Sequence, residues 1–269
     1  STQISNLTPS QFASLTSTQI GALTETQVRG LSTELLTGLT AAQISGLTTT
    51  GIAALEDTQI AALTTTQIAS LSLTALASLS SGQVDELTTT QLHALSSTQI
   101  GGLSETGIIG LSVTDFATLT TTQIKGLSGT LIAALTTTQV AGLTTTYIAS
   151  FSTSQMGSLA STQLEVLTGG QLSVLTSTQI GALATLSLGG LTSEGVAGLT
   201  TTQLRGLSST QIGYLNETNI KGLTTTQLIA LTTTQIKGLN ASEVQALSQT
   251  QRSAFSASQL SAISTDGIQ

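Results

Sequence analysis

The sequence predicts an all-α repeat solenoid, a superhelix of very short capped helices with one helix in every eight residues. Three observations predict it. Leucine recurs every eighth residue from Leu7 onward without insertion or deletion. In most octads, a Ser or Thr is followed three residues later by Gln, the pattern of a helix capping box. The lone proline, Pro9, falls at the first helical position of the first full octad, where a helix tolerates it best.

The octad defines the elements in order. Position one runs Leu7, Leu15, Leu23 and on to Leu247, then Phe255 and Ile263; 30 of these 33 residues are Leu, with Phe151 the other exception. Position two is Ser or Thr in 28 of 33 octads, and Asn216 and Asn240 are chemical relatives. Position four is mostly Thr and position five mostly Gln. Position six is aliphatic or, as at Phe12, Phe116 and Met156, larger; Arg252 is its one charged residue. Position eight is nearly always Gly, Ala or Ser.

Read as a helix start, position two is the N-cap, and its hydroxyl accepts from the backbone N–H three residues on. The position-five Gln reaches back to the N-cap N–H, and the aliphatics at positions one and six stand at N′ and N4 as a hydrophobic staple. Small residues at positions seven and eight are expected to end the helix and let the chain bend sharply. Those at position eight should also let backbones approach closely. Position seven, which holds Arg29, Lys125, Arg205, Lys221 and Lys237 with Asp85, His93 and Glu165, is expected to face outward. Asp85, Lys125, Glu165 and Arg205 are forty residues apart, so a coil of five octads would stack them as alternating charges.

Other architectures fit less well. One continuous helix would let the leucine row drift about 80° per octad. A flat strand would put positions one and six on opposite faces. A β-solenoid with a corner in each octad is the alternative, favoured by Thr and disfavoured by Gln and Ala. A single octad buries too little apolar surface to offset the entropy of ordering eight residues, so coils must stack. Uncharged Thr and Gln then suit positions where coils meet, because Lys or Glu resists burial.

No composition shift or linker divides the chain, so residues 1–269 are expected to form one continuous array. It begins and ends inside an octad without atypical end repeats, as a segment of a longer chain would.

Composition restricts function. Of 269 residues, 7% are charged and 2% aromatic; there is no Cys or Trp, and the net charge is −7. Without Cys there is no disulfide framework or thiolate metal site. Six scattered bases cannot neutralise a run of phosphates, so no nucleic-acid partner is expected. No apolar run approaches a membrane span. A mean hydropathy of +0.33 argues against disorder.

No chemistry is expected either. His93 is the single histidine, and the pairs Glu56–Asp57 and Asp85–Glu86 read as solvated charges. Gly101–Gly102, Gly169–Gly170 and Gly189–Gly190 lack the Lys-Ser/Thr of a phosphate loop and follow the octad register. The sequons at Asn6, Asn216 and Asn240 are explained at the last two sites by Asn replacing Ser/Thr at the cap. No catalytic, cofactor-binding or metal-ligating residue is assigned, no cofactor is implied, and an enzyme is not expected. The one feature suited to a binding surface is the set of Ser/Thr rows at positions three and four.

The whole chain resembles the tandem Leu-Thr-x-x-Gln-Ile/Val octapeptide arrays of long bacterial secreted or cell-surface, adhesin-like proteins. Leu63-Thr-Thr-Thr-Gln-Ile68 and Leu231-Thr-Thr-Thr-Gln-Ile236 carry the likeness most cleanly. The resemblance implies an extracellular or cell-surface structural protein, a stalk, fibre or filament that self-associates; low charge offers little repulsion to such packing. The alternative is a binding module whose Thr/Ser ladders meet ice, glycans or other surfaces.

Overall fold

In the computed structural model, which describes residues 7–263, every octad holds one helix of four to six residues. The first runs Pro9–Ala13, with Pro9 at its first position. All are α-helical except the 3₁₀ helix Thr185–Gly190. No strand occurs among the described residues, which overturns the β-solenoid alternative.

The capping box forms as the spacing predicts. Thr64 is typical: its backbone is extended (φ −69°, ψ 157°), its hydroxyl accepts from the Gln67 N–H at 3.2 Å, and its own N–H donates to Gln67 Oε1 at 2.8 Å. Asn216 and Asn240 cap in the same way, accepting from the N–H groups of Asn219 and Glu243. Helix type follows the box. Ala160 has no capping group but keeps Gln163, whose Oε1 accepts the Ala160 N–H, and Ser161–Glu165 is α-helical. Ser32 has no Gln partner but caps Leu35, and Thr33–Thr37 is α-helical. Ala184 and Ser187 lose both members, and that octad tightens to 3₁₀.

Helices end at positions six to eight, and they do so without left-handed backbone. No described residue has a positive φ. Gly30 and Gly38 at the C-caps are right-handed (φ −79° and −73°), so glycine is not used here for left-handed freedom. The chain instead turns by extending at position one, as at Leu143 (φ −62°, ψ 136°), whose N–H donates to the position-six carbonyl of Val140. The same three-residue closure recurs at Leu31, Leu63, Leu199 and Leu239.

Contacts divide the chain into two compact units, residues 1–135 and 136–269. In the first, helix Thr33–Thr37 packs on Asp57–Ala62, and Thr65–Ala69 on Thr89–Ala94. In the second, Ser161–Glu165 packs on the 3₁₀ helix Thr185–Gly190, and Ser193–Gly198 on Glu217–Gly222. Each partner begins 24 residues later, so three octads make one coil in each unit. The five-octad coil does not occur. Asp85 and Lys125 in the first unit, and Glu165 and Arg205 in the second, stand five octads apart where rows repeat every three, so they do not stack.

The core is built from positions one and six. Position six is buried in every described octad until Arg252, and residues such as Ile20, Ile68 and Ile212 are wholly inaccessible. The position-one leucines are buried from Leu31 onward. Arg252 meets the apolar slot by turning out: it is exposed, and its guanidinium donates to the carbonyls of Gln245 and Leu247.

Candidate functional site

The dominant polar feature of each unit is the seam between coils, and the position-five Gln builds it. Its Oε1 caps the start of its own helix, while its Nε2 reaches the end of the helix four octads earlier, in the neighbouring coil. Gln67 Nε2 donates to the carbonyls of Leu36 at 2.8 Å and Leu39 at 2.7 Å. Gln59 Nε2 reaches Val28 at 3.1 Å, Arg29 at 3.2 Å and Leu31 at 2.7 Å. The same clasp is made by every position-five Gln from Gln43 to Gln123 in the first unit. It recurs from Gln171 to Gln259 in the second. Short helices leave carbonyls without intrahelical donors at their C-termini, and one amide per octad supplies the donor. Gln67, at 2% exposure, does this out of reach of water, where an unpaired amide or carbonyl is costly. Asn219 replaces Gln with a shorter amide and keeps both bonds, to the Asn216 N–H and the Leu191 carbonyl.

Position eight governs how closely coils approach. A Cβ built on Gly46 would lie 2.5 Å from the Ser17 carbonyl oxygen and 2.8 Å from Ser17 Cβ. The pairs Ser81–Gly110, Ser97–Gly126, Ser161–Gly190, Ser177–Gly206, Ser193–Gly222 and Ser209–Gly238 repeat this approach. In the sequence, every Ser at position three has Gly 29 residues later, and no Thr at position three does. The extra methyl of Thr adds bulk at the carbon that already lies against the glycine. At two positions where Ser stands instead, its hydroxyl reaches the same carbonyl, Ser70 that of Ala41 at 3.2 Å and Ser78 that of Thr49 at 3.3 Å. Sequence reasoning expected close approach at position eight but missed this pairing, whose signal is the 29-residue correlation.

The residues weighed for chemistry are not brought together. His93 is exposed, and its Nε2–H donates to the Thr118 carbonyl, a position-eight residue one coil on. Glu56 lies 3.9 Å from Arg29, both exposed. Asp85 and Glu86 are exposed, and Asp85 lines only a shallow depression with Ser81, Gly82, Ile109 and Gly110. Asn216 spends both amide atoms, capping Asn219 and donating to the Gly189 carbonyl at 2.8 Å. Asn6 lies outside the described residues. Among those described, no three His, Cys, Asp or Glu residues group closely enough to hold a metal ion. Among the described residues, no helix is long and apolar enough to cross a membrane.

The outer surface follows the octad. Position seven is exposed at Arg29, Asp85, His93, Lys125, Glu165, Arg205, Lys221 and Lys237. Position four is exposed in every described octad, and its hydroxyl pairs with the cap in several, as Thr50 with Thr48 at 3.0 Å. The result is a repeated surface of hydroxyls with few charges.

Comparison with known proteins agrees with the repeat. A family model described as the ALTTAQ repeat matches residues 52–89 and 188–225. No curated protein matches the chain.

Proposed function

We propose that this chain is structural material of a bacterial surface stalk, fibre or filament, extracellular and non-catalytic, that associates with copies of itself. The observation that carries the reading is the Gln clasp. It joins each coil to the one before with the same bonds, so an interior coil is a building element that addition of octads extends without new chemistry. The exterior supports it as well, since hydroxyl rows with few charges oppose lateral packing little. The extracellular setting rests on the resemblance to secreted octapeptide arrays.

Negative-stain microscopy of concentrated protein tests this reading. Filaments or laterally packed rods are expected, and compact monomers at every concentration would overturn the filament form. Protease treatment of intact producing cells tests location: a surface protein is degraded, and full protection removes the extracellular assignment.

A second reading is favoured by the exposure of position four in every described octad. Regular hydroxyl rows suit a binding module for ice, glycans or another ordered surface. Replacing several position-four Thr residues by Lys should then abolish binding while the circular dichroism spectrum stays the same.

A further inference from the structure

Glu243 stands at position five, where the clasp calls for Gln, and it is 4% exposed. One carboxyl oxygen does what Gln Oε1 does: Oε2 accepts the Asn240 N–H at 2.8 Å. The neighbouring glutamines define what the other atom meets. Gln235 donates Nε2 to the carbonyls of Leu204 and Leu207, and Gln251 to those of Lys221 and Leu223. Counted in the register of Gln235, the carbonyls 31 and 28 residues before Glu243 are those of Ile212 and Leu215, at the end of helix Ser209–Ile212, and these are the groups its Oε1 would meet. An ionised carboxylate brings no donor to those carbonyls. A protonated carboxyl donates its O–H as the Gln amide donates its N–H.

We infer that Glu243 acts as a protonated clasp, a pH-dependent catch that closes the seam between helix Ala241–Ala246 and the preceding coil when neutral and opens it when ionised. Burial pushes the carboxyl above its ordinary value, against the opposing effect of the hydrogen bonds from Asn240. The charged groups on flanking elements do not offset this. Glu217 and Lys221, on the helix packed against it, are exposed and pair with each other at 3.7 Å. Lys237 and Arg252, on the helices before and after it in the chain, are also exposed, and the Arg252 guanidinium is held by carbonyls. The sign follows. A carboxyl raised in the folded state contributes stability that is present below its unfolded value and lost as pH rises through the folded value. The seam is therefore tightest in acid and weakens above the ordinary carboxyl value of 4.5.

Two measurements on the whole chain test this. In the wild type, the Glu243 side-chain carbon followed by NMR should titrate with a midpoint above 4.5. Glu243→Gln installs the residue that fills this slot in most octads. At neutral pH it should slow hydrogen exchange of the amides of residues 241–247 by about tenfold for each unit by which the carboxyl is raised. The advantage should vanish in acid. A midpoint at or below 4.5, or exchange equal in the two proteins at neutral pH, overturns the proposal.

Discussion

Gly46 sits so close to Ser17, one coil earlier, that a single added carbon would stand 2.5 Å from the Ser17 carbonyl oxygen. The contact is backbone on backbone, so neither side can give by rotating a side chain. Gly46→Ala is therefore expected to destabilise by about 1–3 kcal/mol through overpacking. Gly198, at the end of helix Ser193–Gly198, has nothing within 4 Å of the same added atom. Gly198→Ala should be neutral or stabilising by about 0.5–1 kcal/mol, because it restricts only the unfolded chain. Urea midpoints of the two variants check the contrast, and equal effects would refute the steric reading.

The clasp should be the costliest polar group to lose. Gln67→Ala removes bonds to the Thr64 N–H and to the Leu36 and Leu39 carbonyls, all at a buried seam. A loss of about 2–4 kcal/mol is expected from the groups left unpaired. Gln11 is exposed and makes its cap bonds in solvent, so Gln11→Ala should cost about 1 kcal/mol or less. Thermal unfolding of both variants separates the two roles of Gln.

Restoring the missing box should convert the odd helix. Ala184→Ser with Ser187→Gln supplies both members to Thr185–Gly190, the one 3₁₀ element. A gain of about 1 kcal/mol and an α-helical pattern of amide shifts over residues 185–190 are expected. A 3₁₀ pattern that survives the double substitution would show that packing, and not the cap, sets the helix type.

Stability should be almost indifferent to salt. The ion pairs found, Arg29–Glu56 at 3.9 Å and Lys221–Glu217 at 3.7 Å, join exposed side chains and are each worth about 0–1 kcal/mol. Raising sodium chloride from low concentration to about 1 M should shift the melting temperature by no more than a few degrees. A large drop would mean that charge carries part of the fold.

The helices were legible because capping is local. A hydroxyl at position two and an amide at position five meet across three residues of one chain segment, so spacing alone specifies them. The second use of Gln was not legible, because its Nε2 partners lie 28 and 31 residues away and nothing in one octad says which octad lies beside it. The number of octads in a coil was not legible for the same reason: near-identical octads leave it open, and the forty-residue charge spacing does not match it. Glycine was legible only in part. Small residues were expected to let the chain bend and backbones approach; all described glycines keep negative φ, and several are required by proximity. The site residues considered in the sequence, His93 and the acid pairs among them, lie apart on the surface, each explained by its octad position.

By itself, the sequence determined the octad, the helix in each octad, the cap that starts it and the apolar pair it buries. These depend on side-chain chemistry within eight residues and on burial that a single chain period already encodes. Only the tertiary structure decided that three octads close a coil, that one amide serves two helices, and that Ser beneath Gly sets the nearest approach. Those outcomes depend on which backbone carbonyls the coil brings within reach of an amide or a missing Cβ, a relation between segments about thirty residues apart that repeats too nearly alike to distinguish along the chain.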